Sequence, residues 1–80
     1  MTELKIKVYE KSDYGNKEIL IKELNFSDKE KAWSAFISFP NSLEQKHYYL
    51  DLIECLGSNE NVINSKYIAL STINFIKNNF

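Results

Sequence analysis

Arginine is absent from the 80-residue sequence: all ten of its basic residues are lysine. The guanidinium fork that reads guanine edges and clamps phosphate is therefore missing, and lysine replaces it poorly. Cysteine, histidine and proline occur once each, as Cys55, His47 and Pro40. A lone cysteine makes no internal disulfide, and Cys55 with His47 falls short of the three or four ligands a zinc site needs. The two glycines, Gly15 and Gly57, form neither a Walker loop nor a dinucleotide loop. No apolar run approaches the roughly 18–20 residues that cross a bilayer. The start, Met1-Thr2-Glu3-Leu4-Lys5, alternates and carries no secretory apolar stretch. Ten basic residues against eleven acidic leave a net charge of −1, so no broad field draws the chain to nucleic acid or an anionic membrane.

What is present is the composition of an ordinary globular chain, 44% hydrophobic and 26% charged. Residues 1–80 are expected to form one small α+β domain, marginal alone because a chain this short buries only about 60–65% of its unfolded surface. A free cysteine in an apolar stretch fits a reducing cytosol. Abundant lysine, asparagine and isoleucine without arginine fit an AT-rich genome, so a bacterial cytoplasm is the expected compartment. Asn25-Phe26-Ser27 matches a glycosylation sequon, which has no consequence there.

Leu4, Ile6 and Val8 alternate with Lys5, Lys7 and Tyr9, the period-two pattern of a half-buried strand. Asp13, Gly15 and Asn16 mark a polar connection, and residues 18–24 read as a second strand, giving an antiparallel hairpin. Ser27-Asp28-Lys29-Glu30 has the form of a capping box with Ser27 as the cap, opening a helix over about 28–38 that Pro40 ends. Ser42 with Gln45 repeats that logic. Leu43, Tyr49, Leu50, Leu52, Ile53 and Leu56 then suit a second helix, with Gly57 as its left-handed cap. The final apolar set, Tyr67, Leu70, Ile73 and Ile76, suits a third helix over about 66–78, although residues 67–73 would also serve as a strand. The expected order is ββααα, a hairpin covered on one face by helices. Its core draws on Leu4, Ile6, Val8, Ile19, Ile21, Trp33, Phe36, Leu50, Ile53, Leu56, Leu70 and Ile73.

Catalytic sets are hard to assemble from these residues. On one helix His47 and Cys55 would lie about 12 Å apart, too far for base activation of a thiol. Asp13, Asn16 and Glu18 do not follow the EF-hand spacing, and Asp51 with Glu54 reads as a solvated pair one helical turn apart. No catalytic residue, cofactor or metal is expected. The helices on either side of Gly57 could be read as a helix-turn-helix, but only Lys66 and Lys77 would anchor phosphate.

The expected functional surface is therefore the outer face of the hairpin: Lys5, Lys7, Tyr9, Leu20, Lys22 and Leu24, with Tyr14, Tyr48, Tyr49 and Tyr67 as further contact residues or core margins. A non-enzymatic module that occludes or locks a partner protein is the expected function. Phage and mobile-element inhibitors of host defence, anti-CRISPR proteins among them, are often of this size and composition. The alternative is a small dimeric nucleic-acid-binding regulator using its C-terminal helices. A homodimer is expected ahead of a monomer.

Overall fold

The alternation of Leu4, Ile6 and Val8 becomes the buried side of β1 (Glu3–Lys11), the strand around which the remaining elements assemble. The computed structural model describes residues 3–11, 18–42 and 47–80. Within them follow β2 (Glu18–Phe26), α1 (Lys29–Ser38), β3 (Tyr48–Leu56), β4 (Asn59–Tyr67) and α2 (Leu70–Asn79). The strands form one antiparallel sheet in the order β2-β1-β3-β4. Because β1 is antiparallel to both neighbours, β2 and β3 run the same way on either side of it, and α1 links them.

This ββαββα order replaces the expected ββααα. The hairpin and the first helix stand where the sequence places them. The second helix is not formed among the described residues: residues 48–56 form β3. Leu50, Leu52, Ile53 and Leu56 mimic helical spacing because β3 is a central strand with apolar residues on both faces, where periodicity loses its power to separate strand from helix. Leu50 and Leu52 point to the helices, and Ile53, one residue on, is 3% exposed on the other side. The third helix begins at Leu70 rather than near residue 66, since Asn59–Tyr67 pairs with β3.

Gly57 has the positive φ expected of it, +63°, but in a two-residue hairpin turn and not at a helix end. Leu56 pairs with Asn59, and Gly57 is the first of the two central residues, the II′ arrangement whose twist suits antiparallel strands. The helix-turn-helix reading loses its first helix and its turn together. The capping arrangement also differs. Asp28, not Ser27, is the N-cap of α1, its carboxylate accepting from the Glu30 amide at 2.9 Å. Phe39 leaves the helix in extended geometry ahead of Pro40. The Asp13-Gly15-Asn16 connection, Tyr14, Leu43 and Gln45 lie outside the described residues.

Both helices pack on one side of the sheet. Ala32 and Phe36 of α1, Phe39, Ile68, and Ile73 and Ile76 of α2 close over Leu4, Ile6, Val8, Leu24, Leu50 and Leu52. Several expected core residues are at the surface instead: Ile19, Trp33, Leu56 and Leu70 are exposed, and Ile21 is partly buried. Leu56 and Leu70 sit at element ends, beyond the reach of the opposite layer. Among the described residues no helix is long and apolar enough to cross a membrane.

Candidate functional site: the open face of the sheet

No described element covers the second face of the sheet. The register lays its side chains out in rows that cross all four strands. Leu20, Tyr9, Tyr49 and Tyr67 form one row; Glu23, Lys7, Asp51 and Ser65 the next; Asn25, Lys5, Ile53 and Val62 the third. β1 reaches this face through the odd-numbered half of its alternation, and β3 through Tyr49, Asp51, Ile53 and Cys55.

The expected surface is partly here. Lys5, Lys7, Tyr9 and Leu20 share the face, whereas Leu24 pairs with Ile6, is 6% exposed and belongs to the core. Lys22 pairs with Val8 and so lies on the helix side as well. A bulge is the cause. The register slips between Val8 and Tyr9, leaving Ile21 as an extra residue in β2. Uninterrupted alternation would put Leu20, Lys22 and Leu24 on one face; one inserted residue sends Leu20 outward and the other two inward. Ile21 itself packs against the core.

Two structures occupy the open face. At one end is an ion-pair cluster. Lys5 Nζ lies 3.0 Å from Glu23 and 2.8 Å from Glu60, and Lys7 Nζ is 2.9 Å from the same Glu60. These charges meet from β1 and β4 across β3, which accounts for the burial of Ile53 between them. The two lysines hold the Glu60 carboxyl down at about 2, and Glu60, then Glu23, raise the Lys5 ammonium above its ordinary range.

At the other end stand the tyrosines. Tyr9 and Tyr49 stack with centroids 5.1 Å apart and planes at 19°, while Tyr67 meets Tyr49 edge-on at 6.5 Å and 76°. Burial raises the hydroxyl pKa of both Tyr9 and Tyr49, and for Tyr49 the hydrogen bond to Glu18 adds to it. Beside this pair is a groove of about 310 Å³, lined by Tyr49, Tyr67, Asp51, Ser65, Lys11 and Glu18. The Ser65 hydroxyl donates to Asp51 Oδ1 at 2.8 Å. Partial burial nevertheless keeps the Asp51 carboxyl above the usual aspartate value, with Glu18 adding repulsion, against the lowering effect of Ser65 and Lys7. Lys66 also borders the groove, but its ammonium points to the helix side, donating to the Phe39 carbonyl and lying 4.7 Å over the Phe36 ring.

Sequence reasoning places Tyr49 and Tyr67 on helices, so it misses their meeting with Tyr9; it pairs Asp51 with Glu54 on a helix instead of with Ser65 across two strands, and it gives Ser65 and Glu60 no role. A usable signal exists: Gly57-Ser58 between two nine-residue segments is a hairpin turn pair, and it turns Tyr49-Asp51-Ile53-Cys55 into one strand face. His47 and Cys55 lie before and near the end of β3, so an extended chain of about 3.4 Å per residue holds them apart. Among the described residues no three His, Cys, Asp or Glu side chains gather to hold a metal. A scan against protein-family models finds no match, and searches of curated proteins and of solved structures find none either.

Proposed function

We propose that this chain is a non-enzymatic binding module that engages a partner protein through the open face of its sheet, occluding or locking that partner. The observation that carries the reading is the row of Tyr9, Tyr49 and Tyr67 on a face that no described element covers. Tyrosine is enriched at the energetic centres of interfaces, because a rigid ring contributes contact area while its hydroxyl keeps a polar contact. Leu20, 49% exposed, extends the row at its β2 end, and Val62, 57% exposed, adds apolar surface on β4. The ion pairs at the other end of the face supply the polar rim such surfaces have. The size, the small fold and the surface suit an inhibitor of the phage or mobile-element kind, which acts by covering a functional surface of a host protein.

The test uses a photo-crosslinking residue introduced in place of Leu20 on the open face, and separately in place of Ile37 on the outer side of α1, in the source cells. A discrete adduct from position 20 and none from position 37 is the expected result. An adduct from position 37 alone would move the contact to the helices and overturn the reading. Tyr9→Ala should abolish the adduct while the circular-dichroism melt is kept.

A further inference from the structure

The groove beside Tyr49 has a chemistry more specific than the face around it. Its two carboxylates, Asp51 and Glu18, have no ion-pair partner among the described residues: Asp51 is bonded to the Ser65 hydroxyl and Glu18 to the Tyr49 hydroxyl. The nearby lysines are committed elsewhere. Lys5 and Lys7 hold Glu60, and the Lys66 ammonium is tied to the Phe39 carbonyl on the opposite side of the sheet. Lys11 borders the groove and stands opposite Glu18 in the β1–β2 register, with no ion pair between them among the described residues. Tyr49 and Tyr67 line the groove with rings at 76° to each other, an aromatic corner whose faces carry negative quadrupole charge. A partly desolvated carboxylate in the row next to such a corner, as Asp51 is, gains from a cation that replaces lost water. At about 310 Å³ the space is at the lower end of ligand pockets, which run from about 300 to 1,000 Å³, and it suits a single side chain.

We propose that this groove receives an arginine side chain of the partner protein, its guanidinium against the Tyr49–Tyr67 corner and hydrogen-bonded to the Asp51 carboxylate. This rests on the partner-binding reading above and adds the chemistry that the partner presents. Arginine fits better than lysine because its planar, weakly hydrated fork both stacks on a ring and donates two parallel bonds to a carboxylate. The chain has no arginine of its own to fill the groove. A phosphate or nucleic-acid backbone fits worse, since it would meet two carboxylates.

The experiment is an amide chemical-shift titration of the full chain with three probes. These are acetyl-Gly-Arg-Gly-amide, the same peptide with neutral citrulline in place of arginine, and a six-nucleotide oligothymidylate. The arginine peptide is expected to give saturable shifts at Tyr49, Asp51, Ser65 and Tyr67. Binding should weaken at least about fivefold with citrulline, and likewise with Asp51→Asn, as loss of one charge-assisted hydrogen bond requires. Equal binding of the two peptides, shifts confined to other residues, or no saturable shift would overturn the assignment. So would oligothymidylate binding at these same amides, in favour of base stacking. If the arginine peptide fails while the adduct at position 20 persists, only the groove's chemistry is refuted. If both fail, the partner-binding reading falls with it.

Discussion

The bulge in β2 makes Leu20 and Leu24, four residues apart, behave as members of different layers, and a pair of alanine substitutions measures this directly. Leu24 is 6% exposed among Ile6 and the core cluster, whereas Leu20 is 49% exposed opposite Tyr9. Truncating a buried leucine loses its transfer free energy and leaves a cavity, together about 2–5 kcal/mol. Truncating a half-exposed one away from any network costs about 0.5 kcal/mol or less. A domain of this length has a total stability on the order of 4–12 kcal/mol, so Leu24→Ala removes from about a sixth of it to all of it. In urea, with a slope of about 1 kcal/mol per molar, the Leu24→Ala midpoint should fall by about 2 M or more, and that of Leu20→Ala by about 0.5 M or less. Equal falls would mean that β2 pairs without the bulge and that both leucines share a face, and a larger fall for Leu20→Ala would put Leu20 rather than Leu24 in the core. The outcome bears on function as well, because the bulge leaves Leu20 on the open face while it holds Leu24 in the core.

Helix α1 gives a second check: Asp28→Ala should cost about 1 kcal/mol, as loss of an N-cap does, while Ser27→Ala should cost little; the reverse order in a urea titration would restore Ser27 as the cap. Glu60 gives a third. Its carboxyl is held down at about 2 by Lys5 and Lys7, so its stabilising effect is full above the unfolded value of 4.5 and is lost as pH falls toward about 2. Glu60→Gln should therefore lower the urea midpoint at neutral pH and leave it unchanged near pH 2, with a smaller difference in high salt; a pH-independent difference would refute the ion-pair origin. For assembly, β4 is an edge strand exposed along nearly all its length, which favours pairing with a second copy, and light scattering that finds only the 9.4 kDa chain would rule the homodimer out.

How far the residues announce this fold depends on where each strand lies. β1 is legible because one of its faces is packed and the other polar, so Leu4, Ile6 and Val8 alternate cleanly. α1 is legible because Asp28 and Pro40 bracket it and Ala32 and Phe36 recur at helical spacing. β3 is not, since Leu52 and Ile53 are both buried on opposite faces and erase the alternation. β4 is not either, because an exposed edge strand is free to be polar on both faces, and Asn59-Glu60-Asn61 reads as loop. The candidate site inherits the same division. Lys5, Lys7, Tyr9 and Leu20 come from the legible hairpin, while Tyr49, Asp51, Ser65 and Tyr67 come from strands that a helical reading hides. The misplacement of Lys22 and Leu24 has a further source: Ile19-Leu20-Ile21 is a continuous apolar triplet, which fixes no parity, and the extra residue within it cannot be located from the pattern.

Asp51 permits a separation of folding from binding. Its carboxyl titrates above the ordinary aspartate value, chiefly because partial burial removes water from it and secondarily because Glu18 repels it. A carboxyl raised in this way is harder to ionise in the folded chain than in the unfolded one. Its charge therefore works against folding at pH values above its folded pKa, and this penalty vanishes once pH falls below about 3.8, where both states are protonated. Asp51→Asn keeps an oxygen that accepts from the Ser65 hydroxyl and removes the charge. The variant should thus be as stable as the parent or more stable at pH 7, with the advantage fading near pH 3. With the arginine guanidinium bonded to Asp51, the same variant should bind the arginine peptide at least about fivefold less well. A group whose removal leaves or improves stability while weakening binding acts through what it contacts outside the fold, since a structural role would move both in the same direction. Urea midpoints at the two pH values, measured beside the peptide titration, decide the matter. A lower midpoint for Asp51→Asn at pH 7 would make Asp51 a structural residue bonded to Ser65, and any weakening of the peptide would then report a damaged sheet.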